Sequence, residues 1–156
     1  LFHRKDPYEP DFFNNGKTKQ ALYMECLECI YHNITQFHDF DVLAHMDYQI
    51  RNAPYKDPSF YYTDYPDLID TIFRFIIEKG IGLEINTSTY KVVPLDLQLL
   101  KRYKELGGEI VTIGSDAHYC QNVAQLFSEY AELIKMCGFQ YLAHYKNRKP
   151  FFDKIK

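Results

Sequence analysis

The chain has no tryptophan, no apolar run approaching the roughly 20 residues of a membrane-spanning helix, and no strong surplus of either charge. Its formal net charge of −3 at pH 7 sets aside a general nucleic-acid or anionic-membrane binder. No leader pattern opens it, so a cytoplasmic, soluble protein is the expectation. Cysteine is sparse. Of the four, Cys26 and Cys29 form a lone C-x-x-C, while Cys120 and Cys137 stand far downstream. Without a second pair, a zinc knuckle or redox motif is disfavoured, and reduced, partly buried thiols are expected. No sequence repeat is visible.

What is present fits one globular domain. The 156 residues are 46% hydrophobic and 25% charged, enough to bury a core, and aromatics are plentiful, with 14 Tyr and 12 Phe. Residues 1–16 read as a loop. From Thr18 a helix is expected, with Tyr23, Leu27, Ile30, Ile34 and Phe37 as its apolar stripe. A strand at 41–45 follows, then a polar, aromatic loop over 48–65, long enough to cover a site. Pro66 starts the next helix, faced by Leu68, Ile69, Ile72, Phe73 and Ile76 and stopped by Gly80. Next come a strand at 82–88, a helix from Pro94 ended by Gly107-Gly108, and a strand at 110–114. A helix capped by Asn122 and closed by Gly138, a strand at 139–142 and a returning arm over 148–155 complete the chain. Strand and helix alternate, the signature of a parallel α/β sheet or barrel.

Chemistry gathers where the strands end. Ile110 to Ile113 are followed by Gly114-Ser115 and then Asp116-Ala117-His118, an acid and an imidazole at a carboxyl end. Asp41 to Asp47 repeats the pattern, with His45 and Asp47 after a short strand. Ligands of α/β folds collect at that end of the sheet. Oxygen and imidazole donors from several strand ends suit hard and borderline divalent metals, so a metal-dependent hydrolase is the first reading. His32 and His38 flank a helix end and read as surface groups, His144 as structural, and the basic tail as a solvated face.

Taken in order, D-V-L-A-H-M-D (41–47), G-L-E-I-N-T-S (82–88) and I-G-S-D-A-H (113–118) resemble the PHP family of metallophosphoesterases, most of all its histidinol-phosphate phosphatases. Phe12-Phe13 to Lys17-Thr18, and the tail from Gly138-Phe139 to Pro150, are similar to segments of the same enzymes. The resemblance covers essentially the whole chain. It implies a distorted (β/α)7, TIM-like barrel with divalent metals, commonly three, at the strand ends. Asp116, His118 and His45 match metal ligands, and His3 matches a further one, although Leu1 stands where serine is usual. Arg51 matches a position that grips the substrate phosphate, a task suited to its fork of donors. Lys91 stands where the family often has another arginine, keeping charge and losing bidentate geometry. Asp47, or a ligand imidazole, is placed to pass a proton to the leaving alkoxide. Glu84 and Asn86 fall on the substrate side, where a carboxylate complements an amine or imidazole.

The resemblance also implies hydrolysis of a phosphate monoester, with Zn, Mn or Fe serving equally well for such ligands. The family's amino-terminal H-x-H is absent, and a closed barrel takes roughly 250 residues. The expectation is therefore one domain over 1–156, the carboxyl-terminal part of a PHP barrel. Its strand at 41–45 would have an unpaired edge, and the chain would form a homo-oligomer or rely on a missing amino-terminal segment. Two alternatives stand beside this reading: a PHP phosphoesterase of another specificity, and a truncated remnant that only binds metal or assembles.

Overall fold

The computed structural model describes residues 10–13, 16–88 and 96–156. Helix α1 (Pro10–Phe13) is a single turn inside the expected opening loop. Helix α2 (Lys19–Gln36) begins where Thr18 accepts the Ala21 N–H through its hydroxyl, at 3.3 Å. Phe37 lies just past its end and is 77% exposed, so the expected stripe stops at Ile34. Helix α3 (Pro66–Glu78) carries proline in its first turn and buries Ile69, Ile72, Phe73 and Ile76 completely.

Three strands form a parallel sheet in the order β1 (Val42–Leu43), β2 (Gly82–Asn86), β3 (Val111–Gly114). Val42 pairs with Gly82, and Leu83 with Val111. Helix α3 connects β1 to β2, and α4 (Leu97–Glu105) connects β2 to β3, so the two crossovers are helical as parallel pairing requires. Both crossover helices leave for their strands through the same device. At the end of α3, Gly80 takes φ +68°, its N–H reaches the Ile77 carbonyl, and the Ile81 N–H reaches that of Ile76. That is a Schellman stop, which glycine enters without a Cβ clash. Gly107 ends α4 in the same way, and Gly138 ends α5 (Phe127–Met136).

The sheet is the mixed α/β arrangement expected, but a closed barrel is not formed by the described residues. Among these, β1 pairs with β2 alone, which leaves its other edge without a strand partner. The last two strands, β4 (Tyr141–Lys146) and β5 (Lys149–Lys154), form a separate antiparallel hairpin, as the returning arm anticipated. Its two-residue turn, Asn147-Arg148, has φ +51° and +61°, the conformation that matches strand twist. From there the hairpin reaches under the amino-terminal ends of the strands. Tyr145 donates to the Asp41 carbonyl at 2.9 Å, and Arg148 pairs with Asp39 and Asp41.

Several boundaries differ from expectation for local reasons. Strand β1 stops at Leu43 because His45 turns to φ +55°, and β2 stops at Asn86 because its side chain captures the Ser88 N–H. Helix α4 is capped by Asp96, whose carboxylate accepts the Gln98 N–H at 2.9 Å; Pro94 lies outside the described residues. Asn122 does not cap α5. It closes a one-turn 3-10 helix, Val123 is extended, Ala124 and Leu126 are left-handed, and the helix begins only at Phe127. The strand expected at 139–142 is β4, which runs over 141–146.

The long loop over 48–65 is tied to the helices rather than lying free over a site. Tyr23 donates to the Pro58 carbonyl, and Lys19 to those of Asp57 and Ser59. Farther on, the Tyr62 N–H meets Asp96 and its hydroxyl meets Asp70, which holds Arg102 across α3 and α4 at 2.6 Å. The first part of the loop reaches the carboxyl ends of the strands, where Arg51 bonds Ser88 and Asp116.

Candidate active site

His45 follows β1, Glu84 and Asn86 lie on β2, and Asp116 and His118 follow β3, so parallel pairing brings residues from three motifs to one end of the sheet. Both His45 (φ +55°) and Asp116 (φ +46°) sit in the left-handed region, an unusual backbone for residues with side chains. After His45, one 3-10 turn (Tyr48–Ile50), entered by Asp47, brings Arg51 back towards the sheet. The Tyr48 ring lies 5.9 Å from the His45 ring and from the Arg51 guanidinium, packing one and cradling the other.

A continuous set of hydrogen bonds joins these residues. Arg51 donates from Nη2 to Asp116 Oδ2 at 2.8 Å and to Ser88 Oγ at 2.7 Å. The Ser88 hydroxyl donates to Asn86 Oδ1 at 2.6 Å, and the same oxygen accepts the Ser88 N–H at 2.8 Å. With its oxygen facing Ser88, the Asn86 amide turns its nitrogen to His45 Nδ1 at 3.1 Å and to Glu84 at 3.4 Å. Glu84 needs the room that Gly114 leaves, since a Cβ there would overlap its carboxylate.

The pattern of donors sets the imidazoles. An amide nitrogen only donates, so His45 Nδ1 accepts, and the neutral ring carries its hydrogen on Nε2. His118 is the reverse. Its Nδ1 lies 2.8 Å from the Asp116 carbonyl, which only accepts, so the Nε2 lone pair faces outward on a side chain 73% exposed. Burial of the Asp116 carboxyl would by itself raise its pKa. The Arg51 bond and charge, with His45 and His118 adding to them, overcome this and hold it below the ordinary range.

The donor chemistry fits a divalent cation in kind. An imidazole oriented through Nδ1 by a backbone carbonyl, beside a carboxylate held ionised, is a common metal-facing arrangement. In number it is incomplete: among the described residues no three His, Cys, Asp or Glu side chains converge on one point. His3 and Lys91 lie outside the described residues.

Of the residues expected from sequence, His45, Arg51, Glu84, Asn86, Asp116 and His118 thus meet in one network, and Asp47 leads into the turn that supplies Arg51. Ser88 and Tyr48 were missed. The signal for Ser88 was available in Asn86-Thr87-Ser88, where an Asn commonly binds the N–H two residues on. Tyr48 lies three residues from both His45 and Arg51, one turn away from each.

No family model matches the chain. It is 34% identical to a probable histidinol-phosphatase of Clostridium acetobutylicum over 165 aligned residues, covering 99% of this chain and 58% of that protein. It is 30% identical to the histidinol-phosphatase of Lactococcus lactis over 152, covering 96% and 56%. Among solved structures, a Lactococcus lactis histidinol phosphate phosphatase complexed with zinc, L-histidinol and phosphate superposes with a TM-score of 0.81 at 27% identity, over 94% of this chain and 57% of that one. The chain therefore spans somewhat more than half the length of these relatives. Among the described residues, no helix is long and apolar enough to cross a membrane.

Proposed function

The chain belongs to the histidinol-phosphatase family, and from that premise we propose that it takes part in metal-dependent hydrolysis of histidinol phosphate to histidinol and phosphate. The observation that carries this reading is the Arg51–Asp116 pair at the strand ends, a guanidinium of the kind that binds phosphate lying 2.8 Å from a carboxylate of the kind that ligates metals. The Lactococcus relative holds zinc, histidinol and phosphate together, and its likeness extends along nearly all of this chain.

In this reading Arg51 binds the phosphoryl oxygens and neutralises charge that grows on them during reaction. Asp116, His118 and His45, with His3, would hold a divalent metal, zinc by analogy with the relative and Mn or Fe by ligand type. Such an ion, when bound, lowers the pKa of water towards neutrality and so supplies hydroxide. Cation binding through His45 Nε2 would require the other tautomer, with the ring hydrogen on Nδ1 and the Asn86 amide oxygen turned to accept it. Asp47, or an imidazole, carries the proton needed by the departing alkoxide. Glu84, oriented with Asn86, meets the cationic end of the substrate, and Lys91 adds charge near the phosphate. The described strands would form part of a distorted (β/α)7 barrel, completed by a second copy or by a further segment, in a soluble cytoplasmic protein.

The test is phosphate release from histidinol phosphate by the zinc-loaded chain, alongside the Arg51→Gln variant. Release that falls at least about 100-fold in the variant is expected, since oriented charge stabilisation of this type contributes that much. No release by the unsubstituted chain, alone or as an oligomer, would overturn it as an enzyme in its own right. A second reading, in which this stretch supplies only part of a metal centre, is favoured by the lack of a three-donor cluster among the described residues. Zinc bound at less than one per chain would decide for it.

A further inference from the structure

We propose that Ser88, braced by Asn86, is a positioning residue that keeps the Arg51 guanidinium at the strand ends while a phosphate group takes the place of Asp116 on it. This rests on the phosphate-binding role given to Arg51 above. Nη2 of Arg51 has two hydrogens. One is directed to Ser88 Oγ at 2.7 Å and the other to Asp116 Oδ2 at 2.8 Å. A fork of donors that includes Nη2 therefore opens to phosphate only when one of these acceptors lets go.

The chemistry of the two acceptors decides which. Asp116 is an anion and competes with phosphate for the same charge. Ser88 is neutral, and its single hydrogen is already spent on Asn86 Oδ1 at 2.6 Å. It has only lone pairs left, so it complements a guanidinium and repels a phosphate oxygen. The backbone of Ser88 is fixed as well, since its N–H meets the same Asn86 oxygen at 2.8 Å. The face of Tyr48, 5.9 Å from the guanidinium carbon, supports Arg51 from another direction. Without the Ser88 hydroxyl, Nη2 would lose the acceptor that does not compete with phosphate, and phosphate would have to break the Asp116 ion pair and reorder that nitrogen together.

The experiment is titration of the whole chain with inorganic phosphate by calorimetry, for the unsubstituted protein and for Ser88→Ala, Ser88→Thr and Arg51→Gln. Ser88→Ala should weaken phosphate binding about tenfold, the worth of one hydrogen bond to a charged group. Ser88→Thr, which keeps the hydroxyl, should stay within about threefold, a rescue that a loss of packing would not show. Unchanged binding in Ser88→Ala, with binding lost in Arg51→Gln, would overturn the positioning role and leave the phosphate reading standing. Unchanged binding in Arg51→Gln would overturn both. Should Ser88→Ala not fold, side-chain NMR of nitrogen-labelled arginine in the unsubstituted protein decides. Arg51 Nη hydrogens that stay protected with phosphate bound support the anchor, and exchange at the solvent rate overturns it.

Discussion

Replacing Gly108 by alanine should damage the fold, whereas the same change at Gly114 should leave the fold intact and disturb the site. At Gly108 a new Cβ would lie 2.5 Å from Cε1 and Cζ of Tyr103 and 2.6 Å from Cδ1. That ring has nowhere to go. It is 1% exposed, meets Phe73 edge-on at 5.1 Å and stacks on Phe139 at 6.3 Å, and its hydroxyl donates to the Ile110 carbonyl at 3.2 Å. Carbon atoms pack at about 3.5–4.0 Å, so the ring must retreat by about 1 Å. Overpacking of this kind costs roughly 1–3 kcal/mol, and a strained hydroxyl bond adds to it. The alanine recovers roughly 0.4–1 kcal/mol from the unfolded chain. A net loss of about 2 kcal/mol should lower Tm by about 4–8 °C for a domain of this size. At Gly114 the colliding group is the far end of the Glu84 side chain, which can swing aside, so stability should stay within about 0.5 kcal/mol. Urea unfolding followed by circular dichroism and tyrosine fluorescence measures both. Equal stability of the two variants, in either direction, would refute the reasoning from confined and free neighbours.

Acid should weaken the fold in a way that Asp70 reports. Hydrogen bonding to Arg102, foremost, holds the Asp70 carboxyl below its ordinary value, and Tyr62 adds to it against the opposing effect of burial. A depressed folded-state pKa means stability that is present above the unfolded value of about 3.9 and lost as pH falls towards the folded one. Urea midpoints should therefore decline below about pH 4, less steeply in Asp70→Asn; identical slopes would count against this assignment. The thiols should also separate by environment. Burial, with Cys29 and Glu25 nearby, pushes Cys26 up to about 12, whereas Cys120 is exposed. A disulfide exchange reagent at pH 8 should label Cys120 in the native chain and reach Cys26 only on unfolding, and early labelling of Cys26 would show its burial to be wrong.

Helix α3 was readable because everything that makes it is local. Pro66 opens it, Ile69, Ile72, Phe73 and Ile76 repeat at helical spacing, and Gly80 supplies the left-handed stop within the same stretch. The helix expected at Asn122 failed for a reason equally local but invisible to periodicity. The apolar spacing continues through Val123, yet Val123 is 68% exposed and left-handed turns at Ala124 and Leu126 hold the segment open until Phe127. A hydrophobic stripe marks a face only where a core waits to receive it.

The residues proposed to carry the chemistry were picked out by the sequence alone: His45, Arg51, Glu84, Asn86, Asp116 and His118 follow or lie on short β-branched and apolar runs, and strand ends are where α/β sheets display such groups. Which of them touch was decided only by tertiary structure. Arg51 meets Ser88 across 37 positions and Asp116 across 65, and His45 meets Asn86 across 41. No local rule encodes such pairs. They exist because parallel pairing in the order β1, β2, β3 sets three strand ends side by side, and because a glycine at 114 leaves Glu84 its space. Propensity and capping act over a few residues, whereas the sheet's register joins distant ones, and the network at the strand ends is a product of that register.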